Sequence, residues 1–512
     1  MKTIKYFCTL LLTALTFTAC SNEEIVEPEQ NQQPATEGEI PFTAVFGVKN
    51  GSSRALTDPD DGTLNVSWAV DEEIAIVFGG SKYTVKVTEV DDDGNATVSG
   101  TLPSSISHNQ AVTFIYPASA ADESGLRSDL LANQDGTLST ISSSLDVATA
   151  EGSIIIVSGK AQPNGTVTLE NQFAICKFQF KDESDQTIND IESVKITDLS
   201  TNEVITVAPT SPQASVYVAM KPSNNTTKFL VTRSNGDPCE KTSNAHMQAG
   251  KFYCPTFSMT FAANACPLTF EAMASGTISF KNNASGPVYY SINGGERAEI
   301  AAGQTGTPTL AAGQKVCFYG DNSRYYSVSN AFTFPENCYI YGNIMSLISS
   351  TDFADLTELP NTDGRNFSCM FRNCYQLKNH QYKKLVLPAT KLQQLCYYQM
   401  FYGCNGLTEA PELPATTLCY GCYDEMFVYC YGLTKAPDLP ATTLAKYCYE
   451  YMFMGCKNLN SVKCLATDRS ATGCTDDWLY GVSSTGTFTK AAGATWDTGA
   501  SGIPNNWTVV EE

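Results

Sequence analysis

Apolar residues follow two rhythms along this chain. Between residues 40 and 262 they alternate with polar ones or bunch in short runs: Phe42-Thr43-Ala44-Val45-Phe46, Ile74 to Phe78, Lys82 to Val90, Val112 to Tyr116, Phe173 to Phe180 and Val194-Lys195-Ile196. Successive strand side chains point to opposite faces, so each run predicts a short strand. Asp91-Asp92-Asp93-Gly94 reads as a turn between two of them. Many short strands at even spacing predict β-sandwiches, one over 40–164 and one over 165–262. A small β domain over 263–345 follows, with strands at Pro267 to Phe270, Ile278 to Phe280, Val288 to Ser291 and Val316 to Tyr319, and a tight turn at Asn293-Gly294-Gly295.

The second rhythm is a repeat. Leu387-Pro388-Ala389-Thr390, Leu413-Pro414-Ala415-Thr416 and Leu439-Pro440-Ala441-Thr442 recur every 26 residues. Met400-Phe401, Met426-Phe427 and Met452-Phe453 keep that register, as do Cys396, Cys422 and Cys448, and Cys404, Cys430 and Cys456. An earlier copy, Met370-Phe371 with Cys374 and Leu377, lies upstream at a slightly longer spacing, and an insertion near His380 accounts for the extra length. A period in the twenties implies stacked units that bury their faces only against neighbours. Within a unit, Cys396, Met400 and Cys404 are spaced by four, which predicts one face of a short helix. Leu407 to Pro414 predicts an extended segment that Pro414 ends. The expected fold class is mainly β with a short α/β solenoid, the solenoid over 346–469 and a C-terminal cap over 470–512.

The N-terminus carries an address. Lys2 and Lys5 precede an apolar stretch over 6–19, too short to span a bilayer, so residues 1–19 read as a signal peptide. Residues 20–39 are acidic, polar and proline-containing, a flexible tether. The formal charge is −21, from 53 acidic and 32 basic side chains. Residues 21–262 hold 32 of the acids against 14 bases, whereas 346–468 hold 11 against 10. A net-acidic chain repels phosphate backbones, which excludes nucleic acid as a partner.

Catalytic chemistry finds little support. The three histidines, His108, His246 and His380, are scattered, and the chain has no HExxH, GxSxG or Walker loop. No enzyme activity, cofactor or metal is expected. Of 19 cysteines, eleven fall between 369 and 474, inside the repeat. In-register Cβ vectors run parallel rather than toward each other, so these read as reduced thiols packed as small hydrophobes. Cys419-Tyr420-Gly421-Cys422 is a CxxC, but only Cys422 keeps the register, so it reads as an accident of spacing. Tyr397, Tyr423 and Tyr449 repeat and are structural. Tyr398, Tyr402, Tyr429, Tyr431 and Tyr451 do not repeat, so packing does not demand them, and rigid amphipathic rings suit protein or sugar contacts. The variable positions Thr408, Glu409, Glu412, Thr434, Lys435 and Asp438 form a second candidate face.

Four resemblances add to this reading. Phe17-Thr18-Ala19-Cys20 looks like a bacterial lipobox, which implies cleavage before Cys20 and its lipidation. Ser21-Asn22-Glu23-Glu24 resembles the export signal of surface lipoproteins in Bacteroidota. Together these imply a surface-exposed protein anchored in the outer membrane by lipid. Arg54, Trp68, Asp71, Tyr116-Pro117 and Gly250-Lys251-Phe252-Tyr253 resemble the fimbrillin family, which implies two transthyretin-like β-sandwich domains and makes Arg54 a candidate proteolytic site. The motif L-x-x-A-P-x-L-P-A-T-T-L followed by C-Y-x-x-M-F-x-x-C-x-x-L looks like the BspA-like leucine-rich repeat. The combination implies cell adhesion or ligand binding through the repeat surface, with a host matrix protein or a glycan as partner. The alternatives are a structural or tip component of fimbriae, with fimbrial subunits as partners, and a glycan-capture lipoprotein.

Overall fold

The computed structural model describes residues 38–47, 68–325, 331–360 and 364–512. The leader, Cys20, nearly all of the tether and Arg54 lie outside the described residues. The chain is mainly β, and the two β-rich units come first.

In the first unit, Glu39–Phe46 pairs with Ala96–Pro103, followed in order by Ser81–Val90, Glu73–Phe78, Gln110–Tyr116, Ala148–Val157 and Lys160–Pro163. Lys160–Pro163 then pairs back, in parallel, on Glu39–Phe46. The expected two-sheet sandwich over 40–164 is thus a ladder of seven strands closed on itself. Ser158 and Gly159 both adopt positive φ, 50° and 78°, and turn the chain tightly enough to place Lys160–Pro163 beside Ala148–Val157. Closure removes the unpaired edges that a sandwich would leave. The alternating residues point inward: Phe42, Ala44, Phe46, Val85, Val87, Val112, Phe114 and Tyr116 share one core.

The second unit does form two sheets. Ala174–Lys181 pairs with Ser215–Met220, Phe252–Tyr253 and Thr256–Ser258. The facing sheet has six strands, from Thr260–Phe261 through Pro238–Asn244, Thr226–Arg233, Ile191–Asp198 and Val204–Val207 to Asn133–Gln134. That last strand comes from the first unit's side of residue 164. The buried Gln134 side chain fixes it there, donating to the Ala219 carbonyl and accepting from the Ala219 amide, both at 2.9 Å.

The β domain over 263–345 shares a sheet and a core with the repeats. Its strand Leu268–Ala272 pairs with Lys315–Gly320 on one side and Cys338–Asn343 on the other. Cys338–Asn343 in turn pairs in parallel with Leu377–Asn379 and Leu385–Val386 of the first repeat. One continuous buried cluster runs from Leu268 to Trp507. The insertion near His380 appears in the register itself: Ile340 faces Asn379, but Gly342 faces Leu385.

The repeat contains no helix at the CYYQMFYGC positions, which corrects the expected helix per turn. The segment is a chain of overlapping turns. Cys396, Tyr398, Met400, Tyr402 and Cys404 each donate to the carbonyl three residues back. The intervening amides of Leu395, Tyr397, Gln399, Phe401 and Gly403 donate instead to the next turn of the stack. Their acceptors are the carbonyls of Tyr420, Cys422, Asp424, Met426 and Val428, at 2.8–3.0 Å. Every fourth residue, Leu395, Gln399 and Gly403, has positive φ, which interrupts an α-helix. Spacing by four still gathers side chains on one face, so Cys396, Met400 and Cys404 are fully buried as the pattern required.

The extended segments do not pair as ladder strands. Among the described residues, 407–414 forms no β-bridge and 433–440 only isolated ones, such as Lys435 with Ser461. Pro411, Pro414, Pro437 and Pro440 have no amide to give a ladder. Where those prolines are absent, Ser461–Cys464 pairs with Thr487–Lys490 and that strand with Thr508–Glu511. The stack also runs past residue 469. Tyr449, Phe453 and Gly455 donate to Cys474, Trp478 and Tyr480, so residues 472–480 make one more turn in register.

Candidate functional site

Two ring columns run through the stack. Phe332, Phe371, Phe401, Phe427 and Phe453 stand 5.4–5.6 Å apart, nearly parallel. Phe367, Tyr397, Tyr423, Tyr449 and Trp478 form the second, at 5.8–6.1 Å. Each turn therefore rises about as far as strands in a sheet are spaced, because the same inter-turn hydrogen bonds set both. The thiols form a third column. Cys404, Cys430 and Cys456 each donate to the carbonyl of Phe371, Phe401 or Phe427 at 3.0 Å. Burial pushes these thiols up, Cys456 to about 12, so they are poor nucleophiles. The CxxC pair behaves likewise. Cys422 is fully buried, the Cys419 thiol donates to the Leu392 carbonyl at 3.2 Å, and burial raises both.

With the interior filled by repeating residues, the non-repeating tyrosines face outward, but they divide into two groups. Tyr402, Tyr429 and Tyr431 form one strip. Tyr402 meets Tyr429 edge to face at 5.7 Å, and Tyr429 and Tyr431 lie 6.1 Å apart. Tyr429 and Tyr431 are each 37% exposed. Packing does constrain Tyr429, contrary to expectation. It occupies a positive-φ position, 59°, where the turns before and after place Gly403 and Gly455. Its ring covers Gly455, where an added Cβ would lie 2.4 Å from a ring carbon.

Cations flank the strip. The Arg372 guanidinium stands 4.9 Å from the centre of the Tyr402 ring, and Lys457 Nζ lies 5.2 Å from that of Tyr431. Neither forms an ion pair among the described residues, and Arg372 Nε is buried without a hydrogen-bond partner. Tyr375, 59% exposed, holds the register of Tyr431 in the first turn. Sequence reasoning missed Arg372, Tyr375 and Lys457. Register could have found them. Arg372 follows Met370-Phe371 as Tyr402 follows Met400-Phe401, and Lys457 follows Cys456 as Tyr431 follows Cys430.

Tyr398 and Tyr451 lie along a neighbouring acidic column. The Tyr398 hydroxyl donates to Glu425 at 3.2 Å and Gln399 Nε2 to the same carboxylate at 2.9 Å. Asp424, Glu450 and Asp476 share one register. Burial, then the charges of Glu425 and Glu450, push the Asp424 carboxyl up to about 8. Among the described residues no group of three or more His, Cys, Asp or Glu could hold a metal.

The second predicted face is brought together but neutralises itself. Thr408, Glu409, Glu412, Thr434, Lys435 and Asp438 are all exposed. Glu409 pairs with Lys384 at 2.8 Å, and Asp438 with Lys435 and Lys463 at 3.7 and 3.6 Å. The Thr408 and Glu409 amides donate to Asn379 Oδ1.

No family model matches the sequence, and no curated protein does. Solved structures similar to parts of the chain include a candidate cell adhesion protein from Bacteroides ovatus, at 11% identity and a TM-score of 0.28, covering 43% of this chain and 94% of that one. A fimbrial protein from the same species shares 11% identity at a TM-score of 0.22, over 49% of this chain and 68% of that one. A fimbrial assembly protein from Parabacteroides distasonis shares 12% identity at a TM-score of 0.24, over 43% of this chain and 90% of that one. Likenesses this partial leave function to be argued from the side chains.

Proposed function

We propose that this chain is a surface adhesion protein, lipid-anchored at Cys20 in the outer membrane, whose leucine-rich repeat stack makes contact through the Tyr402–Tyr429–Tyr431 strip. On this reading the fimbrillin-like β units hold the BspA-like repeats away from the membrane. The observation that carries it is the strip itself: partly exposed rings, mounted on the turn ladder, beside cations that pair with no carboxylate among the described residues. Aromatic and arginine side chains on a rigid base are the residues that dominate binding energy at interfaces. The self-paired charges around Glu409 and Asp438 make the opposite case for that face, since exposed pairs contribute little.

The test compares residues 40–512 with a Tyr402→Ala, Tyr429→Ala, Tyr431→Ala variant on an array of host matrix proteins and glycans. The expected result is binding by the parent and a loss of roughly tenfold or more in the variant. Equal binding by both would overturn the assignment of the surface. A chain cut at residue 345 is a poor comparator, because it opens the core shared by Phe332 and Phe371.

A further inference from the structure

Resting on that reading, we infer that the occupant of the strip is a short oligosaccharide bearing a carboxylate or sulfate at separated positions. Three features of the site lead there. First, the rings offer sugar-sized apolar faces: Tyr429 and Tyr431 are partly exposed and Tyr375 largely so. Second, the cations stand apart rather than clustered. Arg372 precedes Tyr402 by one turn, and Lys457 belongs to the third turn after that of Arg372, so three rises of about 5.5 Å separate them along the stack. A single sugar ring cannot meet both; a short chain laid along the strip can. Third, neither cation forms an ion pair among the described residues, and each lies against a ring face, at 4.9 and 5.2 Å. A guanidinium with no carboxylate partner gains from an anionic acceptor, and the paired oxygens of a carboxylate or sulfate fit its fork.

The surroundings set the charge density. The Glu425 carboxylate helps raise the Tyr402 phenol, after burial and Tyr429, so negative charge lies close to the strip. A densely charged polyanion would meet that carboxylate. Sparse charges, spaced to reach Arg372 and Lys457, would not.

The test uses the full mature chain with three probes of matched length: a neutral β-glucan oligomer, a uronic-acid oligomer and a sparsely sulfated galactan oligomer. Calorimetry should show the acidic probes binding roughly tenfold tighter than the neutral one, and weakening as salt is raised. The ranking of the uronate and sulfate arms identifies the anion. Arg372→Gln with Lys457→Gln should abolish the preference while leaving weak neutral binding, and thermal melting checks that the variant folds. Equal affinity for all three probes overturns the charge assignment and leaves the surface reading intact if the tyrosine variant still loses binding. Acidic preference that survives the double glutamine variant also overturns it. Capture of a matrix protein with no saccharide bound overturns this inference alone.

Discussion

Tyr429 and Gly455 are a matched pair. A tyrosine at positive φ carries backbone strain of about 1–2 kcal/mol, and its ring finds room only because the next turn has no side chain there. Gly455→Ala should destabilise the chain by about 2 kcal/mol or more, read from denaturant midpoints. Adding Tyr429→Ala should recover the steric part of that loss and leave the part due to Gly455's own φ of 74°. Asp424 makes a prediction about pH. Its carboxyl keeps a proton up to about 8 in the fold, against 3.8 as the ordinary value. The folded state therefore binds more protons than the unfolded one between those values, and this group's contribution to stability is lost as pH rises through the window. Asp424→Asn should flatten that dependence and be more stable than the parent above about pH 8, measured as denaturant midpoints across the range.

At the scale of the element, the repeat's turn ladder accounts for its cysteines. The ladder places a small side chain beside a carbonyl of the preceding turn, and a thiol fills that site and donates to it. In the native protein Cys254 is the exposed thiol, and it should react with a thiol reagent fastest. The buried thiols should react only on unfolding, when residues 40–512 should yield 17. Far fewer on denaturation would mean that the columns are oxidised. The periodicity was legible in the sequence, and so was the buried face, because spacing by four brings Cys396, Met400 and Cys404 together in a helix and in this turn chain alike. The backbone was not legible. What separates the two is positive φ at Leu395 and Gln399, residues that carry no local signal for it.

For the whole molecule, the insertion near His380 joins the second β unit to the repeats. Lys383 reaches Asp237 and Glu271, each at 3.1 Å, Lys315 meets Asp237 at 2.6 Å, and the Tyr341 hydroxyl donates to Glu271 at 2.8 Å. All four charged side chains are largely buried. Burial alone would raise the Asp237 carboxyl, but Lys315 and Lys383 overcome it and hold the group below the usual range. Lys383→Met should cost about 3 kcal/mol, because it leaves Glu271 short of its cation in a buried site. Limited proteolysis around residues 262–267 should then speed up; an unchanged cleavage rate would mean that the apolar contact of Phe261 with Tyr341 holds the joint by itself.

The sequence alone determined the strand-rich first half, the period of the repeat and the identity of its buried positions, because each follows from spacing along the chain. It also exposed the tyrosines that packing does not repeat. Only the tertiary structure decided that the first unit's ladder closes, that the small β domain shares one core with the repeats, and that Tyr402, Tyr429 and Tyr431 meet while Tyr398 and Tyr451 stand in an acidic column. Those outcomes depend on which distant segments pair, through hydrogen bonds such as those of Cys338–Asn343 with the first repeat, and no local pattern encodes them.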